Sequence, residues 1–193
     1  KAVVGTDFIE LLLENGTDVN AQIGNDSEAT SLHQASRLGN VEVVKLLLVK
    51  RARVDAKTNA KETPLHWTTA SDKFDVAVVE QLLSKGADVN AKTEDYNNTP
   101  LHLAVDRNTY LLQEFHEALE SKPDSEAKAK LQAQLDAELK GLVELLIAQG
   151  AEVNAESRRD GTPLDMAKKS ELTEIVELLR KHGGKTKREL REE

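Results

Sequence analysis

The sequence predicts an all-α repeat solenoid, a single domain over residues 1–193 in which short helix pairs stack side by side. Two short phrases and one apolar block recur along the chain in a fixed order, and this recurrence is the main basis of the prediction. One helix pair cannot bury its apolar face alone, so stacking of successive pairs forms the core. The chain is long enough for five such units.

The first phrase marks the start of the first helix in each unit. Proline at the first helical position loses no needed N–H group, and the preceding threonine can cap the free N–H groups. In the third unit this predicts helices over 64–69 and 76–84, the second ended by Gly86. The four occurrences are Thr30-Ser31-Leu32-His33, Thr63-Pro64-Leu65-His66, Thr99-Pro100-Leu101-His102 and Thr162-Pro163-Leu164-Asp165.

The second phrase follows the second helix of each unit and leads into a polar loop. An apolar block with leucines at helical spacing, such as Leu46 to Leu48, precedes it. The loop is rich in Asp, Asn and Thr, as expected for a hairpin. The occurrences are Asp18-Val19-Asn20-Ala21, Arg53-Val54-Asp55-Ala56, Asp88-Val89-Asn90-Ala91 and Glu152-Val153-Asn154-Ala155.

Together the phrases resemble the ankyrin repeat, whose signature is a period of about 33 residues and the string T-P-L-H-x-A. The resemblance covers nearly the whole chain and implies stacked helix-turn-helix repeats joined by β-hairpin loops. The first repeat is incomplete, and the last is a C-terminal cap with Asp165 at the histidine position. The predicted repeats are about 1–24, 25–57, 58–93, 94–156 and 157–193.

Repeat four carries a 30-residue insertion at about 107–140. A periodic leucine run continues through it, which favours helix over a disordered loop. We therefore expect both helices of this repeat to be lengthened into a protruding antiparallel hairpin. A degenerate extra repeat is the alternative, since the 63 residues from Thr99 to Thr162 are close to two periods. The leucines are Leu131, Leu135, Leu139, Leu142 and Leu146.

Composition excludes several classes of function. The formal net charge of −8 argues against nucleic acid and anionic membrane surfaces as partners, and the absence of cysteine excludes thiolate chemistry. No catalytic or phosphate-binding motif is present, so we expect no enzyme activity, no cofactor and no metal site. A monomer in an intracellular, cytoplasmic location is the corresponding expectation.

The resemblance implies binding of a protein partner, of unknown identity, through the concave surface of hairpin tips and first helices. The protruding hairpin would add a second contact surface. Trp67 is either a core residue or a partly exposed anchor on that surface. The candidate residues are Asp26, Ser27, Arg37, Asn59, Glu62, Trp67, Asp95, Tyr96, Asn98, Arg107, Arg158 and Arg159.

Two further expectations accompany this one. The chain is alternatively a structural spacer or a fragment of a larger multidomain protein, since it begins at Lys1 and its first repeat is incomplete. Asn20, Asn90 and Asn154 match the hairpin asparagine that is hydroxylated in some family members. An ordinary hydrogen-bonding role in the hairpin is the alternative for these three residues.

Overall fold

The computed structural model of the chain describes residues 3–23, 27–106 and 125–192. The chain divides into two compact units, Lys1–Glu94 and Asp95–Glu193. The predicted contact residues Asp26 and Arg107 lie outside the described residues. So do positions 107–124 of the predicted hairpin, which therefore stays a prediction.

Unit 1 consists of helix pairs, as the repeat signature implies. Helix α2 packs on α4, and the second helices pack in the order α1, α3, α5. The predicted helices over 64–69 and 76–84 are confirmed with the same bounds. The helices are α1 (Val3–Glu14), α2 (Ser31–Arg37), α3 (Val41–Val49), α4 (Pro64–Thr69) and α5 (Val76–Ser84).

Hairpin loops connect the repeats. In unit 1, β1 (Gln22–Ile23) pairs antiparallel with β2 (Ala29–Thr30), with Gln22 opposite Thr30. In unit 2, a single antiparallel bridge joins Ser157 and Gly161. The first pairing includes Thr30 and the second ends one residue before Thr162, and each of these threonines precedes the next helix in an extended conformation.

Unit 2 contains one helix of unusual length. Helix α7 has 24 residues, against nine in each of α3, α5 and α9. Helix α9 packs on both α7 and α8. The helices are α6 (residues 100–106, the last described residues before the gap), α7 (Ser125–Ala148), α8 (Pro163–Lys169), α9 (Thr173–Lys181) and α10 (Lys187–Arg191).

The leucine of the first phrase anchors the core of each repeat. It is fully buried at all four positions, and valines and leucines of the second helices complete the core of each unit. Burying one leucine side chain contributes about 1.5–3 kcal/mol. The four leucines are Leu32, Leu65, Leu101 and Leu164.

The turn between α4 and α5 is longer than its counterpart between α2 and α3. Its Ser71 hydroxyl donates a hydrogen bond to the carbonyl of Arg37 at 2.5 Å. Gly39 sits against this turn with a φ of +65°, and a Cβ there would collide with the Lys73 carbonyl oxygen. Glycine is therefore required where the longer turn meets the preceding repeat.

Candidate interaction surfaces

The motif histidines connect neighbouring repeats. The Nδ1 atom of His33 accepts the N–H of Thr30 at 3.0 Å, so the ring proton lies on Nε2, which donates to the Glu62 carbonyl at 3.2 Å. Burial lowers the pKa of His33, although its hydrogen bonds to backbone carbonyls raise it. In unit 2, His102 bonds Thr99 and the Gly161 carbonyl in the same way. These rings act as neutral structural connectors.

The hairpin asparagines make a second set of connections. Asn20 Oδ1 accepts the N–H of Arg53 at 2.7 Å, and its Nδ2 lies 3.4 Å from the Arg51 carbonyl. Asn154 Oδ1 accepts the N–H of Lys185 at 2.7 Å, and its Nδ2 donates to Gly183 at 3.0 Å. The hydrogen-bonding role is therefore observed for both side chains, and their hydroxylation stays a prediction.

Asn90 is the third asparagine of this set. It is half-buried, and its backbone N–H donates to the Asp88 carboxylate at 2.9 Å. Asp55 occupies the matching position of the preceding repeat, and its carboxylate accepts the N–H of Asp88 at 3.0 Å. An acceptor oxygen at this position thus serves the hairpin whether asparagine or aspartate supplies it.

Trp67 lies on the surface of unit 1. We call Arg37, Glu62 and Trp67 together the Trp67 surface. The indole is half-buried, and its Nε1–H donates to Glu62 Oε2 at 2.8 Å. Its ring meets His33 edge-on, with centroids 5.2 Å apart. Arg37 is exposed and donates to Gln34 at 3.2 Å. The structure thus places Trp67 partly in solvent, held in one orientation, rather than in the core.

The hairpin tips of unit 1 are joined through their backbones. Ser27 and Asn59 are both exposed, and the N–H of Asn59 donates to the Ser27 carbonyl at 3.2 Å. Lys61 forms an ion pair with Glu94 at the next tip. The predicted contact residues Ser27 and Asn59 are therefore brought together at one edge.

The corresponding surface of unit 2 is built around Tyr96, and we call it the Tyr96 surface (Asp95, Tyr96, Arg158 and Arg159). Tyr96 is 42% exposed, and the Arg159 guanidinium lies 5.5 Å from its ring centroid. The N–H of Arg158 donates to the Tyr96 carbonyl at 2.8 Å, and its Nη1 to the Asp95 carbonyl at 3.3 Å. Asn98 is half-buried at the base of the same loop.

Charges of both signs border the Tyr96 surface. Arg159 Nε lies 3.9 Å from the carboxylate of Asp160. The pKa of Asp106, at the end of α6, is raised by burial and by the Asp160 carboxylate, whereas Arg159 and Lys169 lower it. Arg159 thus lies within electrostatic range of α6, and the surface combines one exposed aromatic ring with the two exposed guanidinium groups of Arg158 and Arg159.

A groove of about 410 Å³ lies along α7 and the start of α9 in unit 2. Reasoning from the sequence did not identify it, because its residues come from two segments far apart in the chain. The extended leucine periodicity was the one available signal, and it indicated a long helix without indicating what the helix would face. The lining residues are Gln132, Asp136, Leu139, Ser170, Glu171, Leu172, Thr173, Glu174 and Ile175.

Among residues 3–23, 27–106 and 125–192, no group of three or more histidines and carboxylates has the arrangement needed to hold a metal ion. No helix in the described part of the chain combines the length and apolar character needed to cross a bilayer.

Comparison with known families agrees with this geometry. A family model described as ankyrin repeats (3 copies) matches residues 32–124, and one described as ankyrin repeats (many copies) matches residues 6–48, so together they span more than half of the chain. The chain belongs to the ankyrin repeat family. The family's repeats account for the helix pairs, the connecting histidines and the hairpin asparagines described above.

Individual relatives each match about a third of the chain. Human inversin is 43% identical over 63 residues, which cover 33% of this chain and 6% of inversin. Chicken inversin is also 43% identical over 63 residues. A Caenorhabditis elegans homologue of transient receptor potential cation channel subfamily A member 1 is 47% identical over 57 residues, 30% of this chain and 4% of that protein. The chain thus matches a small fraction of each relative's length.

Proposed function

We propose that the chain is a protein-binding module whose principal contact site is the Tyr96 surface. Ankyrin repeats in general mediate protein–protein interaction, and the family membership supports that role here. The observation that carries the choice of surface is the Arg159 guanidinium held 5.5 Å from the ring of Tyr96. Tyrosine and arginine are enriched among the residues that dominate binding energy at interfaces.

Preorganisation supports the same choice. Two backbone-directed hydrogen bonds hold Arg158 against the loop of Asp95 and Tyr96, so these groups need little ordering on binding. Side chains that are already ordered lose less entropy when a partner arrives. A carboxylate of the partner can accept two hydrogen bonds from one guanidinium group while an apolar group covers the exposed ring. The partner would therefore present an acidic group beside an apolar one.

The Trp67 surface is a second contact surface under this proposal. Its indole is partly exposed and its N–H is already bonded to Glu62, so contact with a partner would use the ring face. A spacer role remains the alternative function, supported by the small share of each relative that the chain matches. In that case neither surface would carry a partner.

Site-specific photocrosslinking tests the proposal. A benzoylphenylalanine placed at Tyr96 should crosslink a specific cellular protein, and one placed at Val49, which is 71% exposed on α3, should not. Adding Arg158→Ala and Arg159→Ala should abolish the crosslink while the unfolding free energy changes by less than about 0.5 kcal/mol each. Equal crosslinking from the two positions, or none from Tyr96, would favour the spacer.

A further inference from the structure

Helix α7 extends well beyond the helix it packs against. It has 24 residues and α9 has nine, and the Lys140–Glu174 ion pair at 3.2 Å marks the place where α9 begins alongside it. The residues of α7 before Lys140 therefore overhang the start of α9 by about 22 Å, at 1.5 Å per residue. The groove of about 410 Å³ lies under this overhang.

The floor of the groove is apolar. Leu139, Leu172 and Ile175 line it, and each is less than 10% exposed. Leu172 occupies the position before α9 at which α3 and α5 have Asn40 and Asp75, whose side chains accept hydrogen bonds from the first helical turn. At α9 this capping position instead holds an apolar side chain, which forms part of the floor.

The rim of the groove is acidic. Asp136 on α7 and Glu171 and Glu174 at the start of α9 supply three carboxylates. Lys140 pairs with Glu174, and Gln132 donates to Asp136 at 2.9 Å. Glu171 is exposed to solvent. A ligand entering this groove therefore meets an apolar floor flanked by negative charge.

We propose that this groove binds a basic amphipathic segment of a partner protein. A large aliphatic side chain of that segment would lie on Leu139, Leu172 and Ile175, and flanking arginine or lysine side chains would pair with Asp136 and Glu171. Charge complementarity selects this occupant, because the rim repels an acidic peptide or a phosphate group. A second copy of the chain is disfavoured, since each copy carries a formal charge of −8. The site is separate from the Tyr96 surface.

Peptide selection on the full chain tests the proposal. The probe is a displayed library of random 12-residue peptides, and the peptides selected should carry a large aliphatic residue flanked by Arg or Lys. A synthetic peptide of the consensus should lose at least tenfold in affinity for the Asp136→Asn/Glu171→Gln variant. Its affinity for Glu138→Gln/Glu144→Gln, which makes the same change in charge at exposed positions of α7, should change less than twofold.

Three results would overturn the proposal. Equal loss in the two double variants would show binding to the general negative charge of the protein. Selected peptides without basic residues would contradict the predicted chemistry. Displacement of the consensus peptide by a synthetic peptide of residues 107–124 would show that the groove binds this segment of the chain itself, provided that the 107–124 peptide does not bind the Asp136→Asn/Glu171→Gln variant. Tyr96→Ala should leave peptide binding unchanged, so the outcome is independent of the function proposed for the Tyr96 surface.

Discussion

Two kinds of side chain connect the first helix of a repeat to the next segment of the chain. His33 and His102 make this connection in repeats two and four, and Asp165 makes it in the last repeat. In the histidine junctions, Nδ1 accepts the threonine N–H and Nε2–H donates to a carbonyl of the following loop. In the aspartate junction, Oδ2 accepts both the N–H of Thr162 at 2.9 Å and the N–H of Lys187 at 2.8 Å.

The difference follows from what the next segment offers. A hairpin leading into another repeat presents a carbonyl oxygen, which needs a donor. Helix α10 presents the free N–H of Lys187 at its first turn, which needs an acceptor and favours negative charge. Histidine can both accept and donate, whereas aspartate only accepts. The residue at this position therefore indicates which kind of segment follows.

Exchanging the aspartate into a histidine junction should have the largest effect. In His102→Asp, one oxygen can accept the Thr99 N–H, but the other would face the Gly161 carbonyl oxygen in a fully buried position. An unpaired buried charge costs several kcal/mol, so we expect a loss of about 3–5 kcal/mol in unfolding free energy at pH 7. Urea unfolding followed by circular dichroism measures it.

The same substitution should be less harmful at lower pH, because a protonated carboxyl group can donate to the Gly161 carbonyl. The exposed His182→Asp serves as the control and should cost less than about 1 kcal/mol. A His102→Asp variant as stable as the parent chain would show that the histidine junction does not depend on donation to the next repeat.

Removing the aspartate from its own junction should have the next largest effect. Asp165→Ala leaves the N–H groups of Thr162 and Lys187 without their acceptor, and hydrogen bonds to a charged group contribute about 1.5–3 kcal/mol. We expect a loss of about 2 kcal/mol, with faster hydrogen exchange at the Lys187 amide. Glu177→Ala, at an exposed position of α9, should change neither measurement. An unchanged exchange rate at the Lys187 amide would show that Asp165 does not hold the start of α10 in place.

Much of the fold could be predicted because a single phrase sets both the start of a helix and a core position. Thr63 before Pro64 determines where α4 begins, and Leu65 two positions later is fully buried. These features depend on local sequence, which recurs from one ankyrin repeat to the next.

Features that depend on packing could not be predicted. Arg51 stands where other repeats have glycine, yet its φ of +68° shows that it adopts the same left-handed conformation. The hydrogen bond from Trp67 to Glu62 depends on the geometry of the chain at the start of α4. The floor of the groove brings Leu139 beside Leu172 and Ile175, a pairing determined by how α7 and α9 pack. None of these contacts has a sequence period of its own.

The histidine junction at His33 should contribute less to the unfolding free energy in mild acid. Burial lowers the pKa of His33, so the unfolded chain takes up a proton before the folded chain does. The stabilisation that neutral His33 provides is therefore complete above the ordinary histidine pKa of 6.5, and it is lost as the pH falls from there through the lowered pKa of the folded chain. Unfolding free energy should decrease between pH 7.5 and 5.5, by less than about 1.4 kcal/mol per pH unit for one proton. His33→Gln, which does not titrate, should show a smaller decrease; an equal decrease would assign the effect to other groups.

The smallest effect should come from the ion pair that holds α10 near the aspartate junction. Arg180 donates to both carboxylate oxygens of Glu189, at 2.6 and 2.7 Å, and lowers the pKa of Glu189 to about 2. Because that pKa is lowered, its stabilisation is present above the ordinary value of 4.5 and is lost as the pH falls from there towards 2. The Arg180–Glu189 ion pair should thus persist through the pH range in which the histidine junction weakens.

An NMR titration of the Glu189 carboxyl carbon measures this pKa. Arg180→Gln should return the pKa towards 4.5, whereas Arg188→Gln, which removes the neighbouring pair with Glu192, should not. A pKa that stays low in Arg180→Gln would assign the shift to the hydrogen bonds from Thr186 instead.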